Sequence, residues 1–215
     1  MSVIIGDQVM VAIIDYDAGN IKSVEKAIQF LGSEAVITRD PDEILSATHV
    51  ILPGVGAFGD AMEKLHKYGL VPVIQEVVKR NIPFIGICLG LQLLFERSEE
   101  TPGVEGLSIL KGEIKRIPDK DDLKIPHIGW NSLKYPNRGR LYEGIPEDSY
   151  VYFVHSYYLD AEDKDIVVAA TEYGTEIHAS VEKGNVFACQ FHPEKSSSVG
   201  LKILENFLKV SKEDK

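Results

Sequence analysis

The chain has 215 residues and a formal net charge of −10, from 23 Lys plus Arg against 33 Asp plus Glu. This length suits one domain and is marginal for two, and 44% hydrophobic with 26% charged residues is a globular composition that excludes a disordered or fibrous chain. The acidic balance excludes nucleic-acid binding through a general positive field, and no stretch approaches the about 18 apolar residues of a membrane-spanning helix.

Residues 1–8 read as an N-terminal extension without the basic leader and apolar run of a signal peptide. Residues 9–15 are almost continuously apolar, as in a strand buried on both faces. Asn20 then caps a helix with apolar residues at Ile21, Val24, Ile28 and Leu31 and Gly32 just past its end. Residues 35–38 form a second strand, and Asp40-Pro41 opens a short helix. Residues 49–52 form a third strand, 60–65 and 70–80 are helical, 84–87 are a fourth strand, and 89–98 are again helical. Alternation at this spacing predicts βαβ units and a parallel sheet covered on both faces.

The second half is β-rich. Residues 113–117, 125–133, 150–157, 166–173, 177–181 and 186–191 are strand-like, with a hairpin loop at 182–185. Residues 197–210 form a closing amphipathic helix and 211–215 a frayed tail. The expected fold is therefore a single α/β domain spanning 1–215. Its central sheet is mostly parallel and flanked by helices.

Cys88 and Cys189 are the two cysteines, and one disulfide would add little to a core this large. With no leader, this predicts a reducing, cytoplasmic compartment in which a thiol is free to react. Cys189 falls mid-strand and is expected to pack inside. Cys88 lies in Gly86-Ile87-Cys88-Leu89-Gly90, where a buried strand passes at once into a helix. This is a nucleophile elbow with Cys in place of Ser: the tight turn needs neighbours without a Cβ, and the helix N-terminus favours thiolate. The Leu89 N–H points where an oxyanion would form. Alone, the pattern fits a small buried core residue equally well.

A second segment, Phe191-His192-Pro193-Glu194, follows the last strand. In extended chain, residues two apart share a side, so Glu194 can orient His192 and support its imidazolium. Cys88, His192 and Glu194 are thus candidate nucleophile, base and orienter. A third segment, Gly54-Val55-Gly56-Ala57-Phe58-Gly59, has the spacing of a dinucleotide fingerprint. It follows the third strand and has no acidic residue ending a strand about 20 positions on, so that reading fails. The better reading is a loop offering a second oxyanion donor at Val55 or Gly56. The six histidines lack metal-ligand spacing, so no metal is expected. Most of Tyr150, Tyr152, Phe153, Tyr157 and Tyr158 read as sheet packing.

The order Pro53-Gly54-Val55-Gly56, Gly86-Ile87-Cys88-Leu89-Gly90-Leu91-Gln92 and Phe191-His192-Pro193-Glu194 resembles the triad-type, class I glutamine amidotransferases. Residues 17–23, Pro126-His127-Ile128-Gly129-Trp130-Asn131 and Tyr152-Phe153-Val154-His155-Ser156-Tyr157 are similar to the glutaminase-subunit family of imidazole glycerol phosphate synthase, in histidine biosynthesis. The likeness runs over residues 11–208. Leu91 stands where that family more usually has Met, a volume-conserving change.

The resemblance implies a hydrolase without a cofactor. Cys88 attacks the glutamine side-chain amide, Leu89 and the Val55–Gly56 region hold the oxyanion, and His192, oriented by Glu194, moves the proton to the departing ammonia. It implies substrate binding by Gly54, Gln92, Glu100, Ser156 and Tyr157. It also implies a heterodimer with a (β/α)8-barrel cyclase that receives ammonia directly. The cyclase makes imidazole glycerol phosphate and an aminoimidazole carboxamide ribonucleotide. Asn20, Trp130, Tyr152 and Lys195 would lie at that interface. Core packing is the other reading of Trp130. The alternatives are a glutaminase serving pyridoxal phosphate or anthranilate synthesis, a non-catalytic regulatory subunit on the same fold, and a cysteine hydrolase acting on peptides.

Overall fold

The computed structural model describes residues 9–120 and 123–214. The expected extension at 1–8 and the last residue of the tail lie outside the described residues. The first strands are β1 (Met10–Ile14), β2 (Glu34–Thr38), β3 (His49–Leu52) and β4 (Phe84–Ile87). The first helices are α1 (Ile21–Phe30), α2 (Pro41–Ser46), α3 (Phe58–Lys67), α4 (Leu70–Lys79) and α5 (Leu89–Leu93). The β-rich half comprises β5 (Arg97–Ser98), β6 (Gly112–Arg116), β7 (His127–Ser132), β8 (Tyr150–His155), β9 (Tyr157–Ala161), β10 (Val167–Glu172), β11 (Glu176–Lys183) and β12 (Val186–Cys189), closed by α6 (Ser197–Leu208).

A seven-stranded sheet runs β10-β11-β12-β4-β3-β1-β2. It is parallel from β12 to β2 and antiparallel through β10, β11 and β12. The apolar runs arise because both faces are covered. On β1, Val11 and Ile13 pack with α1 and α6, while Ala12 and Ile14 pack on the opposite side with α2, α3 and α4. Smaller sheets β5-β6-β9 and β7-β8 stand beside the main one. Among the described residues, no helix is long and apolar enough to cross a membrane.

Four expectations are corrected. The helix expected over 89–98 ends at Leu93. Its last carbonyls are captured from a distance: Leu107 N donates to Leu93 O at 2.8 Å, and Ile109 N and Leu110 N donate to Leu94 O at 2.9 and 3.0 Å. The strand expected over 150–157 breaks at Ser156, because β8 pairs with β7 whereas β9 pairs with β6. Asn20 does not cap α1 with its side chain; it sits in the left-handed region at φ 66° and its amide is used elsewhere. The tail expected to fray is tied down as far as Asp214: Asn81 Nδ2 donates to Lys212 O at 2.7 Å and Asn185 Nδ2 to Ser211 O at 2.9 Å.

Candidate active site

The loops at the carboxyl ends of β1, β3, β4 and β12 meet, as in open α/β sheets that bind ligands outside the strand ends. Cys88 follows β4 directly and has φ 55° and ψ −109°, a strained conformation for a residue with a side chain. Its N–H donates to Cys189 O at 2.8 Å, fixing the elbow to β12. The elbow glycines are required by close approach. A Cβ on Gly90 would lie 1.9 Å from Leu52 O, and one on Gly86 2.5 Å from Gly90 O. Because α5 has only five residues, its dipole at Cys88 is smaller than that of the longer helix expected.

A cavity of about 300 Å³ opens over Cys88. Of the expected site residues, Val55, Gly56, Leu89, Gln92, Glu100, Ser156, Tyr157 and His192 line it together with Cys88. Pro126, Val154 and His155 line it too and were not expected from sequence. His192 is buried, and its Nδ1 lies 2.8 Å from Glu194 Oε1. His192 itself is extended as expected (φ −99°, ψ 98°), but Pro193–Lys195 form a 3-10 turn, and the turn brings the carboxylate back to the ring. Burial alone would depress the His192 pKa, but Cys88 and Glu194 beside the ring outweigh it and lift it to about 9. Nε2 is buried and has no hydrogen-bond partner among the described residues, leaving it for a proton on the Cys88 side of the ring.

A folded-state pKa above the unfolded value gives a stability contribution that is full below about 6.5 and lost as pH rises through about 9. The difference in melting temperature between the protein and its His192→Asn variant should therefore shrink between pH 6.5 and pH 9.5. A difference constant over that window would contradict the raised pKa.

Asn20, expected at a partner interface, donates its amide to the same Glu194 Oε1 at 2.7 Å. Its side chain thus belongs to the support of His192. Glu100 lines the cavity, but its Oε2 accepts from Phe58 N at 2.8 Å and so caps α3. The Tyr157 carbonyl already accepts from Gln92 Nε2 at 3.1 Å and His155 Nδ1 at 2.9 Å, and Ser156 O accepts from Ile117 N at 2.9 Å.

The position expected for an oxyanion is occupied by a carbonyl. Leu89 N–H faces it but donates to Gly54 O at 3.3 Å. In a trans peptide the C=O and N–H point opposite ways, so the Val55 N–H is turned away. The Gly54–Val55 peptide, rather than Val55–Gly56, therefore presents its carbonyl to the Leu89 N–H, the group expected to hold an oxyanion. Gly54 sits beneath Leu89 and outside the cavity lining. A Cβ there would lie 2.4 Å from Tyr16 Oη, and that hydroxyl donates to Pro53 O at 2.8 Å.

Two further buried groups were not expected from the sequence. His127 Nδ1 lies 3.0 Å from His155 Nε2, and burial lowers both pKa values, to about 4 and about 3. Gln190 is fully buried, 3.7 Å from the Cys88 sulfur. Its position two residues before His192 was a period-2 signal that could have found it. Trp130 pairs with Tyr152 on the β7–β8 ribbon, ring centroids 6.1 Å apart. Trp130 is 52% exposed, which sets aside core packing, and Ile128 and Tyr150 are exposed on the same ribbon. Lys195 is exposed on the turn carrying Glu194.

Residues 12–210 match the family model described as glutamine amidotransferase class-I. Imidazole glycerol phosphate synthase subunit HisH of Moorella thermoacetica is 53% identical, over 92% of this chain and 93% of its own. The HisH subunit of Methanocaldococcus jannaschii is 50% identical, over 94% and 100%. Among solved structures, a glutamine amidotransferase superposes with a TM-score of 0.72 at 20% identity, covering 93% of this chain and 97% of that one. PurLQS from Thermotoga maritima superposes with a TM-score of 0.71 at 21% identity, covering 94% and 98%. These two likenesses speak to the fold.

Proposed function

The chain belongs to the class-I glutamine amidotransferase family, and from that premise we propose that Cys88, His192 and Glu194 are its catalytic triad. Its function is that of the glutaminase subunit of imidazole glycerol phosphate synthase in histidine biosynthesis, in keeping with relatives at about half identity along nearly their whole length. The observation that carries the triad reading is the convergence of Cys88 and His192 on one cavity, with Glu194 bonded to the far side of the imidazole.

Cys88 sulfur attacks the side-chain carbonyl carbon of glutamine, and its proton resides on His192 Nε2. The tetrahedral oxyanion takes the position now held by Gly54 O, where Leu89 N–H already points. Collapse of the intermediate breaks the C–N bond, and His192 passes its proton to the leaving nitrogen as ammonia. Water, deprotonated by His192, then attacks the thioester and releases glutamate. Glu194, steadied by Asn20, holds His192 in the tautomer and orientation these transfers need.

Ammonia released into water is protonated and no longer nucleophilic, so the subunit docks over its acceptor site. The partner we infer is the (β/α)8-barrel cyclase of the same synthase, in a heterodimer. Exposed Trp130, its half-buried neighbour Tyr152, and exposed Lys195 on the turn carrying Glu194 suit that contact.

Activation requires the Gly54–Val55 peptide to turn over, removing a carbonyl and supplying a second donor. A donor of this kind is worth about 10²–10³-fold in rate. Glutamate release by the chain alone should be slow and should rise by about that factor when the cyclase and its acceptor nucleotide are added. Rapid turnover by the free chain, unchanged by the cyclase, would refute the reading.

A further inference from the structure

We propose that Gln190 is a further catalytic residue, whose side-chain amide donates to the Cys88 sulfur and favours its anionic, attacking form. The inference deepens the triad reading and rests on Cys88 being the nucleophile. Gln190 follows β12, the strand whose Cys189 carbonyl holds the Cys88 N–H at 2.8 Å, so the fold itself sets the two side by side. Gln190 Nε2 lies 3.7 Å from Cys88 Sγ, and the residue is fully buried.

The direction of that contact follows from the donors and acceptors around it. Tyr157 O is a carbonyl and can only accept, so the Gln92 group 3.1 Å from it is the NH₂. The same NH₂ lies 3.0 Å from the Gln190 side chain, which must present its oxygen. Turning the Gln190 amide over would set two NH₂ groups face to face. The remaining end of Gln190, its own NH₂, therefore points at sulfur. His155 reinforces the arrangement: its Nδ1 donates to the same Tyr157 carbonyl at 2.9 Å, while its Nε2 accepts from His127 Nδ1 at 3.0 Å. Burial keeps both rings neutral at neutral pH, which preserves these donor and acceptor roles.

A thiolate gains more from a neighbouring N–H than a thiol does, and a buried donor is not replaced by water. With only a five-residue helix behind Cys88, the amide supplies part of the polarisation expected of a longer helix. It also limits rotation about the Cα–Cβ bond of Cys88, aiming the sulfur at the substrate carbon.

The test is the pH dependence of alkylation of the full chain by iodoacetamide. Cys189 is fully buried, and Cys88→Ala sets the background. Gln190→Met removes the donor; its rate at pH 7 should fall about tenfold and its midpoint rise by about one pH unit. Gln190→Glu keeps an oxygen toward Gln92 but replaces the donor by a carboxylate oxygen, and should move the midpoint further up. A measurement on the unsubstituted chain guards against misfolded variants. The ¹⁵N-edited signals of the Gln190 amide should shift with the alkylation midpoint and stay still in Cys88→Ala. A folded Gln190→Met with the parent pH profile, or Gln190 signals indifferent to Cys88 ionisation, would overturn the proposal. If Cys88→Ala still released glutamate, the triad reading would fail instead.

Discussion

Cys88→Ala is expected to lower glutamate release by at least about 10⁴-fold, because the covalent route disappears and no other group can form the thioester. Binding should survive, since Gln92, Ser156 and Tyr157 line the cavity from elements other than the elbow's turning residue. In the assembled synthase the same variant should lose glutamine-dependent synthesis yet retain synthesis from added ammonium salt. Glutamate measured with and without the cyclase, alongside product formed from ammonia, separates the two. Residual glutamate release within about tenfold of the parent would remove Cys88 from the mechanism, and the triad with it.

The second large effect is on folding. Gly90→Ala would set a methyl carbon 1.9 Å from Leu52 O, a backbone atom of the central strand β3. Neither side can retreat: Leu52 is hydrogen-bonded within the sheet, and Gly90 is followed by buried Leu91 in α5. The expected cost is about 4 kcal/mol or more, as for other overpacked or strained cores. For a chain of this length that is a fall in melting temperature of about 8–16 °C, or failure to accumulate as soluble protein. Calorimetry of the purified variant checks it, and a melting temperature within about 3 °C of the parent would refute this account of the elbow. Gly86 sits in a similar vice, its Cβ position 2.5 Å from Gly90 O, so its replacement should act in the same direction.

The loops brought together at the strand ends link the proposed triad to the Val55 loop. The β1–α1 loop touches both halves of the machinery. Asn20 holds Glu194, and a Cβ on Gly19 would meet Val55 Cγ2 at 2.9 Å. Val55 therefore has a neighbour, Gly19, next in the chain to Asn20, which supports the proposed triad. A surface that presses on this loop reaches both.

Much of this protein was legible in its residues alone. Local chemistry reports itself: the apolar runs of β1, β3 and β4, the Asp40-Pro41 helix start, and the glycines around Cys88 each depend on neighbours a few positions away. The pairing of Glu194 with His192 was also visible, although the turn that achieves it was not. The remaining features depend on hydrogen-bond partners supplied from far along the chain. The end of α5 at Leu93 is set by Leu107, Ile109 and Leu110. The break at Ser156 arises because β8 and β9 join different sheets. Asn20 gave up its capping role for a carboxylate on the opposite half of the molecule, and Gln190 acquired meaning only beside Cys88 and Gln92. Periodicity records which side of an element is buried; it carries no record of which distant donor or acceptor will be waiting there.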